Sequence, residues 1–527
     1  MSGQTPRQQY HSKRQNLFSQ IARLLTHRML IVSALILLQL ALLVVMVGWF
    51  STYFVQFYFV CVTVSILTIL GIVGKNGHPD YKLAWTLPIA AFPVFGGLFY
   101  LLFGGSQLSK RSRRQMAKLG ELSRKALEQT GEQPDLFGDD LQAKSQSSYL
   151  LRASHCPPHG NTEAVYYALG EEMWQGMLEE IDRAEHFIFL EYFIIGEGVM
   201  WDAIVERLER KAQAGVDVRI LYDDVGCLFT LPRAFSRQME QMGIRCAAVN
   251  PFRPVVSIRL NNRDHRKICV IDGHTAFTGG INLADEYINA QMRYGHWKDT
   301  GILLRGEGAW NLTVMFLSTW DYTTGEQEDY SFYRPERWQS GRITAPGVVQ
   351  PYEDNPLDQE AVGSNVYLNL ISRATKYVYI TTPYLVLDYP MVQALIVAAK
   401  AGIDVRIITP HIPDKKSVFE VTRANYPALL EAGVRIYEYT PGFIHAKTFV
   451  ADGRFAVVGT INLDYRSLYL HFECGVWLYD HPVINDVERD FLETQEKSRE
   501  ILLEQTTRLG WLKRLWRAVL RLLAPLM

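Results

Sequence analysis

Residues 265–282 read HRKICVIDGHTAFTGGIN and residues 445–462 read HAKTFVADGRFAVVGTIN. Both fit H-x-K-x4-D-x6-G-[GT]-I-N, each shared position offset by 180 residues. A chain that carries this pattern twice is constrained to fold as two related units. The surrounding sequence agrees: KAQAGVDVRI (211–220) recurs as AAKAGIDVRI (398–407), and HFIFLEYFI (186–194) resembles YVYITTPYL (377–385). GIRCAAVNPF (243–252) likewise resembles GVRIYEYTPGF (433–443). So many elements in one order point to a duplicated domain. Helical periodicity over 171–184 leads into an apolar run at 187–195, and a second helix pattern (201–214) leads into a strand at 216–222. That alternation is the rhythm of parallel α/β architecture, so we expect two such domains packed face to face on one cleft.

Strand alternation places His265 and Lys267 on one face. The glycine pair Gly279–Gly280 lets backbone approach a bound anion. With His445, Lys447, Gly459 and Thr460 from the second copy, the cleft would hold two imidazoles, two ammonium groups and the amides of Asn282 and Asn462. Such a set suits a phosphoryl group. Lysine and asparagine donors stabilise charge on the nonbridging oxygens, one histidine attacks phosphorus, and the other serves as acid and then base. The expected catalytic set is His265, Lys267, Asp272, His445, Lys447 and Asp452, with the two aspartates bracing the motif loops rather than moving protons. Asn282 and Asn462 are expected to bind substrate phosphate. No metal or other cofactor is expected, because a lysine beside each histidine would repel a cation.

Where this chemistry operates is indicated by the distribution of charge. Residues 29–74 contain no charged side chain. At about 1.5 Å per helical residue the run allows two crossings of a bilayer core about 30 Å thick. The spans are expected near 30–48 and 53–73, broken at GWFST (48–52); the run is too long for a cleaved signal peptide. A third uncharged stretch, 83–109, contains Pro88, Pro93, Gly96 and Gly97 and reads as a kinked span or a re-entrant element. Basic residues flank both sides: Arg7, Lys13, Arg14, Arg23 and Arg28 before, and Lys110, Arg111, Arg113, Arg114 and Lys118 after. Both flanks look cytoplasmic, which requires an even number of crossings and a cytoplasmic catalytic region. At 508–527, Leu512, Leu515, Trp516, Val519 and Leu523 line one helical face, with Lys513, Arg514, Arg517 and Arg521 across from it. That is the pattern of an interfacial helix drawn to anionic lipid, although a helix packed on its own domain shows it too. Basic and acidic residues balance, 54 against 55, so a general pull toward nucleic acid is excluded. The six scattered cysteines read as buried thiols of a reducing compartment.

The doubled H-x-K-x4-D pattern resembles the signature of the phospholipase D superfamily over residues 161–500, and the apolar region including 82–104 is similar to the membrane leader of bacterial cardiolipin synthases. The resemblance implies two pseudo-repeated phospholipase D-like α/β/α domains sharing one cleft, behind an N-terminal transmembrane helical region. The expected division is 1–109 membrane region, 110–160 juxtamembrane linker, 161–345 and 346–500 the two domains, and 501–527 the basic amphipathic helix. It further implies a phosphatidyl-histidine intermediate, with His265 the expected nucleophile, His445 the acid/base, and the roles exchangeable by pseudo-symmetry. Carboxylates that orient the histidines would be Asp299 for the first copy and Glu473 for the second. Gly280 stands where many relatives carry serine, so no catalytic hydroxyl is expected there.

The implied substrates are phosphatidylglycerol and other anionic phospholipids at a bacterial cytoplasmic membrane, with no nucleic acid partner. One phosphatidylglycerol would form the enzyme adduct and release glycerol, and a second would take up the phosphatidyl group to give cardiolipin. Hydrolysis to phosphatidic acid is the alternative, with a membrane nuclease or a silent scaffold further off. The D-G-x-x-A-R motif of synthases that use a CDP-activated lipid is absent.

Overall fold

A computed structural model describes residues 37–45, 51–75, 78–97, 100, 110–128, 135–251, 262–338, 343–358, 360–507 and 509–526. Among the described residues one helix is long and apolar enough to cross a bilayer, Tyr53–Val73 within α1 (Ser51–Val73). Its 21 residues span about 32 Å at 1.5 Å each, close to the thickness of a bilayer core. Most of its apolar side chains face outward rather than into protein.

The multi-pass arrangement expected from sequence is not what these residues contain. Of the span expected at 30–48, only 37–45 is described, as helix, and the rest lies outside the described residues. Among the described residues, α2 (Pro79–Ala91), which holds the start of the third apolar stretch, has 13 residues, about 20 Å and too short to cross. It begins at Pro79, preorganised for a first helical position, behind the His78 cap. It folds back on α1, burying Ala84, Trp85 and Ile89 beside Ile72. Ser65 Oγ of α1 donates to the Pro93 carbonyl at 2.7 Å, closing a re-entrant turn.

The soluble part holds two mixed sheets. The first uses β1 (Thr162–Tyr167), β2 (Phe187–Tyr192), β3 (Asp217–Asp223), β4 (Arg245–Val249), β5 (Lys267–Ile271) and β6 (Thr275–Gly279). Past the short β7 (His296–Lys298), β8 (Gly301–Gly306) completes it in the order β1-β8-β6-β5-β2-β3-β4. The second uses β9 (Val348–Asp354), β10 (Tyr377–Thr381), β11 (Asp404–Pro410) and β12 (Arg435–Tyr439). Past the short β13 (Gly442–Ile444), it adds β14 (Thr448–Ala451), β15 (Phe455–Gly459), β16 (Glu473–Tyr479) and β17 (Ser498–Ile501). Its order, β9-β16-β15-β14-β10-β11-β12-β17, repeats the first strand for strand and adds one edge strand. The duplication in sequence is therefore a duplication of topology.

The parallel reading holds for only part of each sheet. β2, β3 and β4 are parallel, as are β10, β11 and β12, whereas the motif strands β5 and β14 enter antiparallel to their neighbours. The reason is loop length. Three residues join β5 to β6 and β14 to β15, enough for a hairpin and far too few for a parallel crossover. Asp272–Gly273 and Asp452–Gly453 take the positive φ values these turns need, 49° and 71° in the first, 56° and 69° in the second.

Between the sheets runs α3 (Ala309–Thr324), apolar on nearly every side and buried almost throughout, as a helix enclosed by protein must be. Phe316 stacks on Phe189 of β2 at 4.6 Å, and the same core reaches Tyr352 and Trp477 of the second sheet. Farther on lie α4 (Lys416–Glu431) and α5 (Trp511–Leu523), which pack together. The six cysteines are all free thiols, four of them buried.

Candidate active site

The two halves meet by exchanging backbone hydrogen bonds at their motif segments. His265 N–H donates to the Phe472 carbonyl at 2.9 Å, and Phe472 N–H returns a bond to Arg263 at 2.9 Å. On the other side His445 N–H donates to the Lys298 carbonyl at 2.7 Å, extending the parallel pair of β13 with β7. Each histidine is thus laid against the strand that leads into the other half's carboxylate.

The carboxylate pairing is accordingly crossed, a correction to the pairing expected from sequence. His265 Nδ1 donates to Glu473 at 2.9 Å, and His445 Nδ1 donates to Asp299 at 2.6 Å. Both carboxylates are completely buried. A carboxylate at Nδ1 fixes the ring and leaves the Nε2 lone pair for chemistry. Thr460 Oγ also donates to Glu473, at 2.5 Å. Its counterpart Gly280 has no room for a side chain, since a Cβ there would lie 2.0 Å from Asp299 Oδ1. The missing hydroxyl of the first copy therefore has a steric cause.

Lys267 and Lys447 are buried and share the faces of their histidines. Lys267 Nζ donates to the His265 carbonyl at 2.6 Å; Lys447 Nζ lies against the His445 carbonyl and 2.7 Å from its Nδ1. Arg266, between His265 and Lys267, points to the opposite face and is held by Glu191 and Asp264 at 2.7 and 3.0 Å. Burial pulls Lys267 down to about 8 and Lys447 to about 7, against the opposing pull of Glu473 and Asp299. Burial, then the neighbouring lysines, pushes His265 well below the ordinary imidazole range; burial and Lys447 bring His445 to about 4. At neutral pH the empty site holds two uncharged imidazoles, which makes His265 fit to be a nucleophile.

Asp272 and Asp452 stand away from the two imidazoles and brace the chain beside the motif strands. Asp272 accepts the backbone N–H groups of Glu185, His186 and Phe187, each at 2.8 Å. Asp452 does the same for Thr375, Lys376 and Tyr377 at 2.7, 2.8 and 3.0 Å. Each anchors the start of the strand beside its motif strand. Asn282 and Asn462 are buried next to the motifs, with one amide hydrogen each on a protein hydroxyl: Nδ2 donates to Tyr287 at 2.6 Å and to Ser467 at 3.0 Å.

His471 belongs here and was missed from sequence. Its ring lies 5.5 Å from His265, as Trp297 lies 5.5 Å from His445. Each stands two residues before a carboxylate, a correspondence visible once Asp299 and Glu473 are aligned. Burial brings His471 to about 4. Among the described residues, His265, His471 and Glu473 form a group whose ligand atoms lie within 4.8 Å of one another and could hold a cation. The lysine ammonium groups that interact with Glu473 oppose one.

Residues 177–294 and 367–494 match the family model described as cardiolipin synthase, PLD-like domain; residues 63–105 match the phospholipase D-nuclease N-terminal model. An uncharacterized protein of Streptococcus mutans is 44% identical over 462 residues, covering 87% of this chain and 99% of the relative. Cardiolipin synthase 2 of Bacillus anthracis is 36% identical over 460 residues, 86% of this chain and 88% of the relative. The solved phosphatidylserine synthase of Haemophilus influenzae shares the fold, with a TM-score of 0.55 at 16% identity, over 73% of this chain and 98% of that one. The chain belongs to the cardiolipin synthase family of the phospholipase D superfamily and is a phosphatidyltransferase of that type.

Proposed function

From this membership we propose that the protein joins two phosphatidylglycerol molecules into cardiolipin and glycerol through a phosphatidyl-histidine intermediate. The single observation that carries the reading is the pair of imidazoles, each held at Nδ1 by the carboxylate of the other half. His265 Nε2 attacks phosphorus while the bond from phosphorus to the glycerol oxygen breaks. His445 gives its Nε2 proton to that oxygen, and glycerol leaves. The hydroxyl of the second phosphatidylglycerol then returns a proton to His445 as its oxygen takes phosphorus from His265. Lys267, Lys447 and the second amide hydrogens of Asn282 and Asn462 hold the nonbridging oxygens.

His445 is uncharged at neutral pH, so it must take up a proton from solvent as the substrate binds. An anionic phosphodiester beside it offsets the lysines and favours the imidazolium. Binding therefore loads the acid that the first step needs.

A lipid substrate is supported by the way the membrane elements join the second half. His78, capping α2, meets Asp388 at 3.2 Å, and Tyr465 OH donates to Asp80 at 2.7 Å. Tyr469 OH also donates to Asp388. Tyr465 and Tyr469 lie on the short helix that follows Asn462, so the cleft and the bilayer foot share one polar latch. The setting we propose is the bacterial cytoplasmic membrane, with the catalytic region on the cytoplasmic side.

The test is turnover of headgroup-labelled phosphatidylglycerol by the full chain in mixed micelles. Cardiolipin and free glycerol in equal amounts are expected, while phosphatidic acid without cardiolipin would make the protein a hydrolase. His265→Ala should abolish the covalent lipid adduct. An adduct that survives in His265→Ala and vanishes in His445→Ala reverses the two roles.

A further inference from the structure

Away from the catalytic pair, a cavity of about 330 Å³ opens between α4, the β17 edge and α5. Arg423, Arg499, Lys513 and Arg517 line it, with Glu438 as the one lining carboxylate. Glu438 is completely buried and already saturated. Arg423 donates to it twice, at 2.8 and 2.7 Å, and His411, Arg499 and Tyr426 approach at 3.0, 3.4 and 3.4 Å. Five donor contacts exceed the roughly four lone-pair positions of a carboxylate. Glu420, behind the cavity, serves Arg517 at 2.8 Å and Lys513 at 3.4 Å. Four cations against two carboxylates leave two positive charges in surplus.

The place of this surplus is as telling as its size. α5 docks on the protein through Arg517 and Leu520 and turns its apolar face outward, with Trp511 72% and Trp516 54% exposed beside Leu512 and Leu515. Just beyond α5, Leu526 packs against the cluster of Ile72, Trp85 and Ile89 at the foot of the membrane helix. The outward face of α5 is thereby brought beside the foot of the apolar helix; in a bilayer crossed by that helix it would lie at the interface, with Lys513 and Arg517 at headgroup depth.

We propose that this cavity is a second, noncatalytic site that takes the phosphate headgroup of an anionic phospholipid. The cations supply charge-assisted donors to the phosphate oxygens, while the outward face of α5 receives the acyl chains. The site serves to seat α5 on anionic membrane and takes no part in bond making. It does not depend on the transfer reaction proposed above.

Binding to the full chain in detergent decides the matter, with bound lipid counted by native mass spectrometry. Phosphatidic acid and phosphatidylcholine are titrated separately, with inorganic phosphate as competitor. Arg499→Gln and Lys513→Gln remove half-exposed cations, so the fold should survive; an unchanged thermal midpoint checks this. Phosphatidic acid should bind about tenfold more weakly to the double variant, from two lost headgroup contacts. Its affinity for His445→Ala should be unchanged at this site. Equal affinity in the double variant and the parent overturns the proposal, as does equal retention of phosphatidylcholine. Displacement by inorganic phosphate as readily as by phosphatidic acid would make it a site for free phosphate, not lipid.

Discussion

Replacing Glu473 by Gln tests the crossed architecture most directly. The carboxylate accepts from His265 Nδ1 at 2.9 Å and from Thr460 at 2.5 Å, wholly out of solvent. The amide keeps the shape and loses the charge. A hydrogen bond to a charged group contributes about 1.5–3 kcal/mol, so its loss should slow attack by His265 by about tenfold to about 150-fold. Disorder in the imidazole tautomer adds to that figure. The assay is the burst of p-nitrophenol from a phosphatidyl p-nitrophenol substrate in mixed micelles. That leaving group departs without a proton, so the burst reports His265 and is indifferent to His445. Glu473→Gln should lose the burst, while Asp299→Asn should keep it and fail only with phosphatidylglycerol, whose glycerol oxygen must be protonated. A burst lost in Asp299→Asn and kept in Glu473→Gln would refute the combination of crossed pairing with His265 as nucleophile, and the adduct in His265→Ala and His445→Ala tells which of the two fails. Thermal unfolding of both variants separates these effects from misfolding, since Lys267 and Lys447 each lose a compensating charge in one variant or the other.

The pH profile of kcat/KM should fall as pH rises through about 7 to 8, where Lys447 and Lys267 of the free enzyme lose the protons that attract phosphate. Its acid limb should lie below the ordinary histidine range, because His265 stays uncharged there; a fall beginning only near pH 10 would contradict the buried lysines. Asp272→Ala strips three backbone N–H groups of their acceptor. It should cost at least about 1–3 kcal/mol in denaturant unfolding, from the buried Phe187 N–H alone, with adduct formation per folded molecule intact. Loss of adduct without loss of stability would return Asp272 to the catalytic set. Gly280→Ser places a Cβ 2.0 Å from Asp299 Oδ1, so it should impair phosphatidylglycerol turnover and spare the p-nitrophenol burst. Equal damage to both would show that the strain reaches His265.

Much of the molecule is written locally. The duplicated H-x-K strands follow from a period of two, the Asp-Gly turns from their tolerance of positive φ, and the apolar helix Tyr53–Val73 from 21 uncharged residues. Composition left 83–109 open between a kinked span and a re-entrant element, and the packing of α2 back on α1 selects the second, which composition does not reveal. Composition likewise misplaced Arg517, a basic residue on the polar side of α5 that the fold turns inward to Glu420.

The sequence by itself determined that there are two halves and that each brings a histidine and a lysine on one strand face. Only the tertiary structure decided which carboxylate serves which histidine. His265 and Glu473 are 208 residues apart, His445 and Asp299 146. Within a half, spacing places Asp299 after His265 and suggests that they pair. The halves instead exchange backbone bonds at 263–265 with 472 and at 442–445 with 296–298. Each carboxylate leaves its own strand facing the other half's imidazole, so neither histidine is oriented until both halves have packed.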